Sequence, residues 1–359
     1  MNTHLYHNLM TQIEHVIPNE RQNRKKLLAW LLTALYLGKT PLLNRLAGKI
    51  PGSAKKNSKA ERLRRFLNNR HFRFRVWYKP VAESIIDQVT KHQQPIRLLV
   101  DGSRVGNRHQ LLMVAVWYRN RALPIAWTWV RHVKGHSSVR KQEALLAYVR
   151  TLIGAENEVI LLGDSEFGSG KMVKTVESWR WRYVLRVKSH YLLKEKEGES
   201  VWCSIKAAVN ILLGQTKWLP LVSYTQTHQV GTNLVATWAV GEKEPWYLVT
   251  NLESSSEAIR LYKKRMGIEE MFGDFKKNGF DLESSRLRYF MRLSRLTMCV
   301  AMLYVFIVAF GADAVKRGYR HLVDRKKQRQ LSIFRIGFDL LDRRLTNREP
   351  FKLRLRLYV

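Results

Sequence analysis

Residues 96–101 read IRLLVD, and residues 158–164 read EVILLGD. Each is a short apolar run that ends in an aspartate, first Asp101 and then Asp164. Short runs rich in Ile, Leu and Val fit strands buried on both faces. Ligands of an open α/β sheet collect outside the carboxyl ends of its strands. If these two strands are neighbours, both carboxylates converge at one sheet edge. Two hard oxygen ligands so placed suit Mg²⁺ or Mn²⁺. An aspartate after a strand also serves as an ordinary turn residue, so neither position decides the matter alone.

The segments around these two runs predict the rest of the sheet. Residues 111–118 and 122–130 read as strands with Asn120 in the turn between them, an antiparallel hairpin that continues from the first strand. Residues 137–153 read as a helix with Ser137 or Ser138 as its N-cap. Residues 170–179 read as a second helix and 181–188 as a fifth strand. The order strand, strand, strand, helix, strand, helix, strand predicts an α/β fold with a mixed sheet flanked by helices. That order is similar to a ribonuclease-H-like core. Residues 189–254 break the rhythm with β-like pieces at 218–224, 234–240 and 246–250 and with Trp202, Trp218, Trp238 and Trp246, and read as a β-rich insertion. A long helix is expected over 255–277.

Residues 1–92 read as helical. Residues 23–37 carry an apolar face of Leu27, Leu28, Leu31, Leu32 and Leu35, with Gly38 as the stop. A short helix is expected at 40–46, with Thr40 as N-cap and Pro41 at the first helical position. A third follows at 58–68. Between Arg45 and Lys79 there are twelve Lys or Arg and a single acid, Glu61. Three short helices with a basic third one fit a helix-turn-helix type of DNA-binding region. The chain divides into this region (1–92), a catalytic core (93–315) with its insertion at about 189–254, and a basic tail (316–359).

The charge points the same way. Sixty-three Lys and Arg face 29 Asp and Glu, a net charge of +34. A chain that basic repels itself unless it meets a polyanion, and phosphate neutralisation favours nucleic acid. Hydrophobic residues make up 45%, enough for a packed core, so disorder is excluded. Cys203 and Cys299 lack metal-binding or disulfide spacing. No signal peptide is expected at the polar N-terminus, which fits a cytoplasmic, nucleoid-associated protein. The uncharged stretch 296–312, LTMCVAMLYVFIVAFGA, is short for a membrane span and reads as a buried helix.

The helix at 255–277 carries Tyr262, Arg265, Glu269 and Lys276. At about 100° per residue these four fall within roughly 60° of one another on a continuous helix. One face would then present a phenol, a guanidinium, a carboxylate and an ammonium. Glu269 would complete a metal site begun by the two aspartates, and the cations would grip the phosphates under attack. Glu270 points about 100° away from that face.

The spacing Tyr262-x2-Arg265-x3-Glu269-x6-Lys276 resembles the Y-x2-R-x3-E-x6-K signature of the insertion-sequence-four family of bacterial DDE transposases. Asp101 in LLVDGS and Asp164 in LLGDSEFG resemble the settings of that family's first two acids. The resemblance covers about residues 95–312. It implies a ribonuclease-H-like core with a β-insertion ahead of the Glu helix. It implies that Asp101, Asp164 and Glu269 are catalytic and ligate two Mg²⁺ (or Mn²⁺) ions. Tyr262, Arg265 and Lys276 would hold DNA phosphates, and Trp246, in EPWYLVTNL, would receive a flipped base. The activity implied is cut-and-paste transposition through a hairpin end. The implied partners are double-stranded DNA, as terminal inverted repeats and target, and a second subunit in a homodimer on that DNA, with no membrane. Two other readings share some of these residues: another ribonuclease-H-like DNA nuclease, and a non-catalytic DNA-binding protein of a decayed element.

Overall fold

A computed structural model describes residues 3–91, 95–106, 109–131, 137–195 and 201–358. By its contacts the chain divides into two units. A sheet unit comprises residues 93–122 and 130–269; a helical unit comprises 1–92, 123–129 and 270–359.

The sheet unit begins with β1 (Ile96–Val105), β2 (His109–Tyr118) and β3 (Arg121–Arg131), whose middle belongs to the helical unit. Between β2 and β3 lie Arg119 and Asn120, both at positive φ (46° and 62°), the signature of a two-residue I′ hairpin turn. Then come α6 (Val139–Arg150), β4 (Val159–Gly163), α7 (Gly170–Ser178) and β5 (Arg182–Val187). β1 runs antiparallel to β2 and parallel to β4, and β4 runs parallel to β5. The order β3-β2-β1-β4-β5 with these directions is ribonuclease-H-like.

The sheet does not stop there. The insertion adds β6 (Leu192–Lys194), β7 (Cys203–Ser204), α8 (Ile205–Val209), β8 (Thr216–Tyr224), β9 (Val230–Thr237) and β10 (Trp246–Thr250). β10 pairs antiparallel with β5, so the insertion extends the same sheet to ten strands, ending β5-β10-β9-β8-β6-β7. A bulge between Leu219 and Val222 is held where the Asn233 side chain accepts from the Leu221 N–H at 2.9 Å.

Two local expectations in this unit change. Ser138 precedes α6 without a side-chain cap; the Ser137 hydroxyl is turned instead to Glu166. The long helix over 255–277 is two helices, α9 (Ser255–Lys263) and α10 (Met266–Phe275). Between them the chain tightens. The N–H groups of Lys264, Arg265, Gly267 and Ile268 donate three residues back, to Leu261, Tyr262, Lys264 and Arg265, a 3₁₀-type winding. Gly267 explains the local fit. A Cβ there would sit 3.3 Å from the carbonyl carbon of Arg121, so this turn approaches backbone closely.

The helical unit holds α1 (Thr3–Val16), α2 (Gln22–Gly38), α3 (Leu43–Ala47), α4 (Lys56–Asn68), α5 (Phe74–Thr90), α11 (Phe290–Lys316) and α12 (Ile333–Thr346). The left-handed residue ending α2 is Lys39 (φ 48°), not Gly38. Gly38 serves close packing: a Cβ there would meet the Leu46 side chain at 3.0 Å. Thr40 does not cap α3, which begins at Leu43; its hydroxyl accepts from the Leu42 N–H at 3.4 Å.

α11 is the centre of this unit. It is long and apolar enough to cross a membrane, with mean hydropathy 2.2 over its most apolar window, yet 83% of that window is buried in the protein. Helices α2, α4, α5 and α12 cover it. Its crossing with α12 is made by two glycines. A Cβ on Gly311 would lie 2.0 Å from the Ile333 carbonyl oxygen, and one on Gly337 2.1 Å from the Ile307 carbonyl oxygen. Backbone cannot give way as a side chain can, so a methyl must part the helices. Gly311→Ala is expected to lower stability by about 2–3 kcal/mol, at the upper end for overpacking, read from urea unfolding midpoints. Unchanged midpoints would mean that the helices slide apart without cost.

Candidate active site

The parallel register of β1 and β4 pairs Val100 with Gly163. Asp164 is the first residue after β4. Asp101 does not end its strand as the apolar run suggested, because β1 runs on to Val105 in its ladder with β2; the two aspartates still stand side by side where β4 ends, at a spacing of about 5 Å between strands. Both acids therefore share one sheet edge.

Asp101 is nearly buried, its side chain 14% exposed. One of its oxygens accepts from the Gly102 N–H at 2.7 Å. The other lies 3.0 Å from Nη1 of Arg265. Arg265 comes from the tight turn between α9 and α10, and its side chain is 8% exposed. Its second terminal nitrogen, Nη2, lies 2.5 Å from Glu269. One guanidinium thus bridges the first and third acids. Its Nε is buried without a hydrogen-bond partner. The Tyr262 hydroxyl donates to Asp164 at 3.4 Å, and the Arg265 guanidinium lies 5.5 Å from the centre of the Tyr262 ring. The Trp246 ring meets that of Tyr262 edge to face at 5.1 Å.

The charges follow from burial and neighbours. Burial pushes the Asp101 carboxyl up to about 7, against the pull of Arg265, and the negative charges of Asp164 and Glu269 add to the rise. Burial raises the Tyr262 phenol to about 12, with Arg265 opposing. Burial works against the charge on Arg265, but Tyr262, Asp101, Asp164 and Glu269 together outweigh it and hold the guanidinium more firmly protonated than usual.

The structure thus brings Asp101, Asp164, Glu269, Tyr262, Arg265 and Trp246 together. Lys276 follows α10, belongs to the helical unit and pairs there with Glu283 at 2.9 Å. The continuous helix face expected for the four signature residues is replaced by the turn at 264–265. Tyr262, Arg265 and Glu269 still meet across it, because a 3₁₀ turn stacks residues three apart.

Three further features were missed in the sequence. The charge of Arg186 on β5 reaches Tyr262, and a lone cation inside the apolar run LRV could have flagged it. Gly102 keeps the edge next to Asp101 open, since a Cβ there would collide with the Gln110 side chain at 2.2 Å. Glu166 ties the loop after Asp164 to Gln110 at 2.8 Å and to the Ser137 N–H at 2.6 Å. The acid in LLGDSEFG could have suggested such a tie.

Among the described residues no three His, Cys, Asp or Glu side chains stand close enough to form a ready metal cluster. The donor chemistry nevertheless fits a hard divalent ion. All three acids offer oxygen only, and the first is a nearly buried carboxylate that needs a countercharge, which Arg265 supplies here.

The helical unit has a basic feature of its own. A cavity of about 480 Å³ is lined by Arg45, Arg64, Arg286 and Arg292 and by no acid. Arg64 is steadied by Glu61 at 2.9 Å and by Asn44 at 2.8 Å, and Arg292 by Asn68 at 3.1 Å.

Residues 128–306 match the family model described as the transposase DDE domain. The matched stretch contains Asp164, Trp246, Tyr262, Arg265, Glu269 and Lys276 and begins after Asp101. This match supports a DDE transposase. No curated protein matches the chain. Among solved structures, the chain is similar to one described as the cryo-EM structure of a piggyBac transposase synaptic complex with hairpin DNA. The identity is 12% and the TM-score 0.46, over 96% of this chain and 79% of that one.

Proposed function

We propose that this protein is a DNA transposase that excises and integrates an insertion sequence, of the insertion-sequence-four type, through its terminal inverted repeats and a hairpin end. The observation that carries the reading is the place of Asp101 and Asp164 directly after the paired Val100 and Gly163 of adjacent parallel strands, with Glu269 linked to Asp101 through Arg265. The domain match over residues 128–306 supports it.

Asp101, Asp164 and Glu269 would hold two divalent ions, Mg²⁺ or Mn²⁺, which supply an activated water or 3′-hydroxyl and stabilise the leaving oxygen. Glu269, with its side chain 43% exposed, would be free to ligate an ion in place of its pairing with Arg265. Arg265 would then offer its fork to two oxygens of a phosphate, a geometry that guanidinium matches with two parallel bonds. The Tyr262 phenol stays protonated at neutral pH, because burial holds its pKa at about 12, so it acts as a hydrogen-bond donor. Trp246, half-buried beside Tyr262, offers a ring face for an unstacked base. Lys276 adds a phosphate contact from the residue after α10.

The region 1–92 is the DNA-binding part, the core spans 93–315, and the tail 316–359 adds positive charge. The arginine-lined cavity beside α3 and α4 fits the sugar-phosphate backbone of the inverted repeat. Two subunits pair on the DNA, and the protein works in the cytoplasm on nucleoid DNA without a membrane.

Metal removal tests the reading. Chelation by EDTA is expected to abolish cleavage of a duplex carrying the element's ends while gel-shift binding persists, and added Mg²⁺ to restore it. Cleavage that survives chelation would overturn the carboxylate assignment.

A further inference from the structure

Four residues before Asp101 on β1 stands Arg97. Side chains alternate along a strand, so Arg97 and Asp101 share one sheet face, about 13 Å apart. Arg97 is the neighbour of the Leu98–Val116 pair, which sets it across from Trp117 on β2. Its guanidinium lies 5.5 Å from the centre of the Trp117 ring. The Lys264 ammonium lies 4.0 Å from the same ring centre. Lys264 is the residue before Arg265, in the turn that joins α9 to α10. Arg260, one turn earlier on α9 and exposed, repels both. The acid facing this group is Glu257, 3.9 Å from Arg260.

Glu257 leaves this cluster short of negative charge. The Arg97 Nε is buried and has no hydrogen-bond partner. Burial, and then the charges of Arg97 and Arg260, lower Lys264 to about 8, as befits a cation crowded by cations. The indole offers both cations a π-face, but it cannot neutralise three charges. What the arrangement takes is a tetrahedral oxyanion, gripped by a fork and a point charge.

We infer that Arg97, Lys264 and Arg260, arranged around Trp117, form a seat for a phosphodiester of the DNA strand that enters the carboxylate site. This rests on the reading of the protein as a DNA transposase. The distance to Asp101 corresponds to roughly four nucleotide steps at about 3.4 Å of axial rise each. The seat therefore grips the strand a few nucleotides from the reacting bond and sets its register there.

The test compares the whole wild-type protein with Arg97→Gln/Lys264→Gln in binding a labelled duplex carrying the element's ends across a salt series. Each lost phosphate contact removes about 0.9 from the slope of log K against log salt. The double variant is expected to lose about 1.8 from that slope and to bind more than tenfold more weakly at about 0.1 M salt. Arg97→Lys, which keeps the charge, should keep most of the slope. In wild type bearing ¹³C-dimethylated lysines, the resonance lost in Lys264→Gln should titrate at higher pH once duplex is added. Inorganic phosphate should move it less, because it lacks the neighbouring backbone.

An unchanged slope together with an unmoved Lys264 titration would overturn the inference. So would an RNA hairpin that shows the Arg97- and Lys264-dependent slope while DNA shows none. A reduced slope in a protein that cleaves with no metal would leave the seat standing and sink the transposase reading, so the two failures are distinguishable.

Discussion

Asp101→Asn, Asp164→Asn and Glu269→Gln are each expected to lose at least about a thousandfold in strand cleavage, since losing one transition-state contact alone commonly costs about 10²–10³. The substitutions keep the shape of each side chain and remove its charge. DNA binding should remain as tight or become tighter, because each variant makes a basic protein more basic. Single-turnover cleavage of a labelled end, alongside gel-shift affinity for the same duplex, separates the two effects. Glu269→Gln is the most informative of the three. Its side chain is 43% exposed, so the substitution disturbs packing less than one at the nearly buried Asp101. Wild-type rates in Glu269→Gln would remove that residue from the site and leave it a surface partner of Arg265.

Arg265→Ala should have the next largest effect, and on stability first. Arg265 is 8% exposed and is the cation at Asp101. Removing one partner of a buried ion pair typically costs about 3–5 kcal/mol. The cost should depend on pH. Burial holds the folded Asp101 at about 7, above the value near 3.9 expected for an unfolded chain. A raised folded pKa means that the protonated acid favours folding. That contribution is full below about 4 and is lost as pH rises through about 7. Without Arg265 the carboxyl rises further. Below pH 6 Asp101 is neutral in both proteins and the variant's deficit is small; at pH 8 the wild type has its ion pair and the variant a stranded acid. Urea midpoints measured in EDTA should therefore diverge as pH increases. Asp101→Asn/Arg265→Ala should recover much of the difference at pH 8. A deficit independent of pH, or one not rescued by the double substitution, would mean that Arg265 acts through packing alone.

Much of this edge of the sheet was legible from local pattern. An apolar run followed by Asp marks the end of β4, but β1 runs on past Asp101 to Val105 because its partner β2 continues beside it, and the adjacency of β1 and β4, a condition in the sequence, is supplied by their parallel pairing. The hairpin at Asn120 was legible for the same reason, since turn chemistry is local. The buried character of α11 could be read from its uniform apolarity, but its crossing at Gly311 and Gly337 could not. Nothing in either glycine's surroundings names a partner helix. The break between α9 and α10 was hidden because its cause is distant in sequence: Gly267 lies against the backbone of Arg121. Helical periodicity continues through residues 264–265 and gives no warning. The cation seat was invisible for the same reason. Arg97, Trp117 and Lys264 each look like an ordinary half-exposed residue until the sheet brings them together. Arg265 is intermediate. Its place among the signature residues suggested a phosphate contact, whereas burial against Asp101 makes it the countercharge of the first acid.

The most direct measurement of the central claim is strand joining. Purified wild type and Glu269→Gln would be incubated with Mg²⁺, a labelled duplex carrying the ends of the chain's own element, and a supercoiled target. The carboxylate site predicts double-strand cleavage at the ends and labelled product joined to the target, in the wild type only. Binding without cleavage in both proteins, with Mg²⁺ and Mn²⁺ alike, would contradict it and leave a basic DNA-binding protein whose acids are strand-end and helix-surface residues.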